Sequence, residues 1–446
     1  MFKIMYRFLG VFCSAILFFV FTNCSSDSSG SAAAAFEIPA VEDMVMYEIN
    51  IKAFSSTKDF KGVTARLDQI KELGVNTIWL MPIYQVGVVN SFGSPYCVKN
   101  YKELNSQFGT LADLQELIRK AHEKKIAVIL DWVGNHTSWD NDWMSNPSWY
   151  TQDGNGNIIS PAGTNWNDVA DLNFENAAMR VAMIEAMKYW IDTTDIDGFR
   201  CDAADFVPFD FWQQAITELN TIPNKHLIML AEGARNDHFT AGFQMNFSWN
   251  FLGSLKNVFT NGQGVATLFA TNTNEYSAVP TGKRKLRFTT NHDESNQATP
   301  VTVFGSKQAA MAASVVTIYL EGVPLLYCGQ EVGVSLSSVY NGSNTINWTV
   351  NTDMLEEYKK MMQFYATSNA ARKGSLMTFD NPNVVIFQKS SGAERVLVLV
   401  NTRAVSKTIG IPLVLQTNWT DVLSNVPKTL SNSLTLAPNE YLILRK

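Results

Sequence analysis

Four acidic residues, Asp131, Asp202, Glu232 and Asp293, each stand close to where a short apolar run gives way to a polar loop. Carboxyl groups brought together can divide labour: an ionised one attacks carbon or steadies positive charge, and a protonated one hands its proton to a leaving group. Three of the four come with polar companions. Asp131 is followed by Asn135-His136, Asp202 is preceded by Arg200, and Asp293 follows Asn291-His292. Side chains alternate along a strand with a period of two, so Arg200 and Asp202 share a face, and a cation there is expected to keep the acid ionised, as a nucleophile requires. One acid at a strand end is ordinarily a helix cap or a loop acceptor. Four in successive units point to chemistry, as do two histidines within a few residues of them.

Other chemistries are excluded by what is missing. There is no G-x-S-x-G elbow, no G-x-x-x-x-G-K phosphate loop, no H-E-x-x-H and no Rossmann glycine triplet. His122-Glu123 starts a zinc-protease pattern, but position 126 is Ile, and five histidines in the chain disfavour a multi-histidine metal centre.

The acids need a scaffold, and the pattern from residue 45 onward supplies one. Apolar runs at 45–51, 77–81, 127–131, 198–200, 227–232, 243–247, 286–289 and 324–327 read as strands buried on both faces. Between them lie helical patterns at 111–124, where Leu111, Leu114, Ile118 and Ala121 recur behind a Thr110 cap, and at 177–193, 209–219, 307–320 and 354–371. Eight such units could close a (β/α)8 barrel or lie in an open doubly wound sheet; periodicity does not choose between them. Residues 132–171 form an excursion too long for an ordinary connection and read as an inserted subdomain. Its tryptophans, Trp132, Trp139, Trp143, Trp149 and Trp166, suit either its own core or the stacking wall of a sugar cleft. From about residue 375 helices give way to runs such as Val384-Val385-Ile386-Phe387 and Val396-Leu397-Val398-Leu399-Val400, the pattern of a separate C-terminal antiparallel β-sandwich over 375–446.

At these residues the sequence resembles the α-amylase family of glycoside hydrolases. The resemblance is carried by Asp131-Trp132-Val133-Gly134-Asn135-His136, Gly198-Phe199-Arg200-Cys201-Asp202-Ala203, Leu230-Ala231-Glu232 and Phe288-Thr289-Thr290-Asn291-His292-Asp293. Ser94-Pro95-Tyr96, Ala170-Asp171-Leu172-Asn173 and Tyr327-Cys328-Gly329-Gln330-Glu331 support it. It implies an α/β (β/α)8 TIM barrel over residues 43–131 and 172–374, with a small inserted subdomain after strand 3. It also implies Asp202 as nucleophile, Glu232 as general acid/base and Asp293 as a third catalytic acid. Tyr96, Asp131, His136, Arg200 and His292 would serve substrate binding, and Asn135 and Asp171 a structural Ca2+. The implied activity is retaining cleavage of α-1,4 bonds in starch-like glucans or malto-oligosaccharides. The alternatives are an α-glucosidase or transglycosylase on short chains, and a non-catalytic surface glycan-binding protein. Departures from the family pattern fall at Asp205 and Phe206, where an acceptor-side Lys-His is common, and at Gly233-Ala234-Arg235.

Composition agrees with a carbohydrate enzyme. The 446 residues carry 12% aromatics and a formal charge of −6, which disfavours nucleic acid as a partner because phosphate binding needs a basic field. Lys3 and Arg7 precede an apolar run from residue 8 to 21, the pattern of a signal peptide over 1–23. Cys24 directly follows and resembles the attachment site of bacterial lipoproteins, so the expectation is export, with 24–42 a flexible leader tethering the protein to the bacterial outer membrane through lipid. A periplasmic or secreted protein is the alternative, and either way membrane contact would be limited to that anchor. Cys97, Cys201 and Cys328, an odd and scattered set, read as small buried hydrophobes.

Overall fold

A strand lies at each of the eight expected places: Met46–Ile49, Thr77–Leu80, Ala127–Val133, Gly198–Asp202, Ile228–Ala231, Met245–Phe247, Arg284–Arg287 and Val323–Tyr327. All pair in parallel with their sequence neighbours, and the first closes on the eighth through Met46 opposite Leu325, so the sheet is a closed barrel and not an open one. The computed structural model describes residues 36–334 and 344–446; the expected signal segment and Cys24 lie outside them. No helix among the described residues is long and apolar enough to cross a membrane.

The period of two sorts the strand residues into layers. Met46, Trp79, Ile129, Leu230, Met245, Leu286, Val323 and Leu325 belong to a cluster filling the barrel interior, whereas Tyr47, Ile78, Val128, Leu130, Met229 and Leu326 join the larger core beneath the helices. Glu48, Asp131, Arg200, Asp202 and Glu232 have the interior parity and continue the inner layers toward the carboxyl ends of the strands. Gly198 opens the fourth strand at φ +145°, and a Cβ there would come within 1.9 Å of Ile228 O, so only glycine lets the fourth and fifth strands meet.

Helices Leu111–Glu123, Ala177–Thr194, Phe209–Leu219 and Lys307–Tyr319 form where expected, the first behind a capping box in which Thr110 and Asp113 satisfy each other's backbone N–H. The expected helix at 354–371 is two, Thr352–Thr367 and Asn369–Lys373, because Ser368 turns extended and caps the second through its hydroxyl. Helices Trp249–Thr260 and Ala266–Tyr276, which the sequence reading did not mark, follow the sixth strand.

The two ends of the excursion after the third strand are joined to each other by a ladder between His136–Ser138 and Val169–Asp171. The C-terminal region is a six-stranded antiparallel sheet accompanied by a two-stranded ribbon, Lys407–Gly410 with Ser433–Leu436. It is less separate than expected. Leu397, Leu399, Leu442 and Leu444 bury one face in a cluster of their own, while Val396, Val398, Val400 and Ile443 on the other face merge with the barrel's main core. Arg403 adds polar ties, donating to Val258 O and Gln263 O of the barrel helices and their loop.

Candidate active site

Arg200 lies at the centre of the carboxyl end of the barrel. Asp131 is its register partner on the neighbouring strand, and Asp202 is two residues on. Arg200 Nη1 donates to Asp131 Oδ1 at 2.7 Å and to Asp202 Oδ1 at 2.8 Å. Its Nη2 lies 2.8 Å from Glu232 Oε2, off the line of a hydrogen bond. One guanidinium, fully buried over the Trp79 and Tyr96 rings, therefore serves three carboxyl groups. Glu232 is steered from a second direction: Ala203 sits in the left-handed region at φ 46°, a strained conformation for a residue with a Cβ, and its N–H donates to Glu232 Oε2 at 2.7 Å. That leaves Oε1 for the cleft.

The charge arrangement corrects one expectation. Arg200 does not hold Asp202 at an ordinary carboxylate value. Burial pushes Asp202 well up, and the nearby carboxyl groups of Glu232, Asp131 and Asp293 add to the push against the pull of Arg200. Asp131 is raised by burial as well. Two of the three acids around the one cation are thus pushed toward their neutral form by burial and by one another.

A second chain of contacts runs from the first strand. His292 Nδ1 lies 2.5 Å from Glu48 Oε1, His292 Nε2 lies 2.7 Å from Tyr96 Oη, and Tyr96 Oη donates to Asp131 Oδ2 at 3.1 Å. Burial disfavours the imidazolium, but the Asp293 and Glu48 carboxyl groups outweigh it and His292 is pushed up to about 9. Protonated, it donates at both nitrogens. His136 goes the other way: burial takes it down to about 4, so it stays neutral.

Above this floor is an open cleft of about 400 Å³, lined by Asp202, Glu232, Asp293, Tyr96, His136 and His292 among others. The structure thus brings the three expected catalytic acids into one hollow with three of the five expected substrate-binding residues. Asp131 and Arg200 lie beneath the lining, both side chains fully buried: Arg200 contacts Asp202 and Glu232 from below, and Asp131 accepts from Arg200, Tyr96 and Trp79. Of the five tryptophans, only Trp166 lines the cleft; Trp132 is core, and Trp139, Trp143 and Trp149 pack against that core. Cys97, Cys201 and Cys328 are buried and unpaired, but Cys97 is more than a hydrophobe, its thiol donating to Asp168 Oδ2 at 3.0 Å.

Several functional positions escaped the sequence reading. Glu48 was visible as the one acid in an apolar strand; Trp79, whose Nε1 donates to Asp131 Oδ2 at 3.1 Å, looked like any core aromatic. Phe92, Asp168 and Trp249 reach the cleft from loops and a helix start that carry no local signal.

Asn135 and Asp171 lie where the ladder closes the base of the excursion: Asp171 is opposite His136, and Leu172 N–H donates to Asn135 O. Among the described residues no group of three or more His, Cys, Asp or Glu side chains is arranged to hold a metal. The amide and carboxylate oxygens of this pair are nonetheless hard donors, and burial raises Asp171, a cost that a cation would offset.

Carboxylates gathered at the carboxyl ends of barrel strands, around a cleft on that face, define a (β/α)8-barrel enzyme site. The sequence profile described as "Alpha amylase, catalytic domain" matches residues 19–154 and 164–383, and the chain belongs to that family. Alpha-amylase MalA of Haloarcula japonica is 30% identical over 69% of this chain and 47% of its own length. Alpha-amylase 3 of Dictyoglomus thermophilum is 29% identical over 66% of this chain and 65% of its own. The chain thus spans about half and just under two thirds of these relatives. Among solved structures, the noncanonic maltogenic alpha-amylase AmyB of Thermotoga neapolitana superposes with a TM-score of 0.83 at 25% identity, covering 92% of this chain and 99% of that one.

Proposed function

We propose that the protein is a retaining glycoside hydrolase acting on α-glucans, with α-1,4 links of starch-like or malto-oligosaccharide chains as its substrates. The observation that carries this reading is the single guanidinium contacting Asp202 and Glu232 at 2.8 Å each beneath an open cleft. One fork with a carboxyl group on each terminal nitrogen suits the short separation of retaining enzymes, about 5–5.5 Å, better than the wider gap that admits water in inverting ones.

In this reading Asp202 attacks the anomeric carbon while Glu232 Oε1 protonates the departing oxygen. Glu232 then removes a proton from water, which displaces Asp202 and restores the α configuration. Half-exposed Asp293, with His292 Nε2 3.4 Å from its Oδ1, is placed to accept hydrogen bonds from sugar hydroxyls that strengthen as the ring flattens. The amylase names of the relatives, and the maltogenic one of the structural neighbour, support malto-oligosaccharides. A relative called probable oligo-1,6-glucosidase 3 of Bacillus subtilis, 26% identical over 66% of this chain, makes α-1,6 cleavage the competing outcome. A timed digest of maltoheptaose and of isomaltotriose, with anomers read by NMR, tests the reading. It expects α-configured maltose and longer products from maltoheptaose. First-formed β-anomers, cleavage confined to isomaltotriose, or binding without released reducing ends would overturn it.

We also propose that Asn135, Asp171 and neighbouring carbonyls hold Ca2+, which would clamp the excursion to the barrel. Chelation is expected to lower the melting temperature by several degrees and calcium to restore it; an unchanged melt would remove the assignment.

A further inference from the structure

Phe206 is 51% exposed although it lies in the cleft lining beside Glu232. It follows Ala203 and Ala204, and both backbone N–H groups of that pair are tied to Glu232: Ala203 to the carboxylate, Ala204 to the main-chain oxygen at 2.9 Å. Phe206 is thus placed by the same turn that places Glu232. Its ring packs on Trp166 with centroids 5.3 Å apart, and Trp166 in turn meets His136 at 5.5 Å.

The turn is braced by the residues that depart from the family pattern. Asp205 accepts from Ala234 N–H at 2.9 Å and Arg235 N–H at 3.2 Å. Arg235 Nη1 donates to Asp205 O at 3.0 Å and Val207 O at 3.2 Å, on either side of Phe206, while Asp237 grips the other side of the guanidinium. A half-exposed aromatic ring held this firmly is a preformed surface for the apolar face of a pyranose, with little conformational entropy lost on binding.

Resting on the hydrolase reading, we propose that Phe206, backed by Trp166 and braced by Arg235, is the stacking platform for the sugar on the leaving-group side, and that it directs the glycosyl-enzyme toward transfer to a sugar acceptor. Glu232 protonates the leaving oxygen, so the departing sugar, and any acceptor replacing it, lies beside Glu232 and therefore beside Phe206. In the transfer step the ester bond from Asp202 to the anomeric carbon breaks and the acceptor's hydroxyl oxygen bonds to that carbon. The hydroxyl proton passes to Glu232, and Asp202 departs as a carboxylate. Water and acceptor compete for one intermediate; a sugar stacked on Phe206 tilts that competition without new charge.

The test uses the full chain with 4-nitrophenyl α-maltoside as donor and maltose as acceptor. Nitrophenol release counts glycosyl-enzyme formed, and chromatography divides it between free maltose and longer products. Wild type is expected to yield longer products in proportion to added maltose. Phe206→Ala is expected to lower the transfer-to-hydrolysis ratio about five- to tenfold, and Phe206→Trp to restore it. Arg235→Ala, which frees the turn, is expected to raise the acceptor KM more than it lowers kcat. An unchanged ratio in Phe206→Ala, with nitrophenol still released, overturns the platform and leaves the hydrolase reading standing; so does wild type that only hydrolyses at saturating maltose. No nitrophenol from wild type overturns both.

Discussion

The two ends of the barrel hold similar residues in opposite condition. At the amino end of the strands, Asp197 Oδ2 accepts from Val128 N–H at 2.7 Å and pairs with His122 Nε2 at 2.9 Å; Phe36 stacks on the imidazole, and Lys225 neutralises Asp195. No side-chain atom of that group is buried without a partner. At the carboxyl end three acids crowd one arginine, and Glu48 Oε2, Arg200 Nε and Arg200 Nη2 are buried without a hydrogen bond among the described residues. A groove is present at both ends, so concavity does not separate them. What does is that charge at the amino end is paired within the fold, whereas at the carboxyl end three acids share one cation and two of them, Asp202 and Glu232, open onto the cleft.

The contrast can be broken by substitution. The largest effect is expected from Asp202→Asn, which should lose at least about 10⁴-fold in turnover. Because burial raises Asp202, ionising it costs stability above its ordinary range, so the same variant should melt at or above wild type near pH 7. A catalytic loss accompanied by a lower melt would mean that Asp202 supports the fold. Arg200→Met leaves buried carboxyl groups without their cation and should cost about 3–5 kcal/mol, read as a lower melting temperature and denaturation midpoint; a loss under 1 kcal/mol would show that the cluster is already protonated and neutral.

His292 sharpens the comparison through pH. Its native value, about 9, lies above the unfolded value near 6.5, so the stabilisation is complete below about pH 6.5 and disappears as pH rises through 9. The stability gap between wild type and His292→Gln should be about 2–3 kcal/mol at pH 6 and close to zero by pH 10. A gap independent of pH would place the contribution in packing. The smallest effect belongs to the amino end: His122→Ala should cost about 1 kcal/mol, the worth of one ordinary hydrogen bond, and leave kcat/KM within twofold. Activity falling with it would tie the two ends together and end the contrast.

The acids at the strand ends were legible because an inward-facing carboxylate in an apolar strand conflicts with its surroundings, and such conflicts mark sites. Asp131, Asp202 and Glu232 carry that signal, and Glu48 carries it equally within the first strand. The pattern also marked all eight barrel strands, since short runs buried on both faces need little context. The helices 249–260 and 266–276 did not stand out, the first following a strand of three residues. Phe206 and Trp166 are separated by 40 positions in the chain; the family pattern drew notice to Phe206, and Trp166 was one of five candidates for a sugar wall, but nothing local says that the two rings meet.

Residue types and their order suffice for the parallel strands, the inward parity of the acids and the family, because those depend on period and composition, which are local. Closure of the barrel, the division of Arg200 among three carboxyl groups, the burial that raises Asp202 and the meeting of Phe206 with Trp166 depend on distances between remote segments. Such distances exist once the first strand has paired with the eighth, and the electrostatics follow from them.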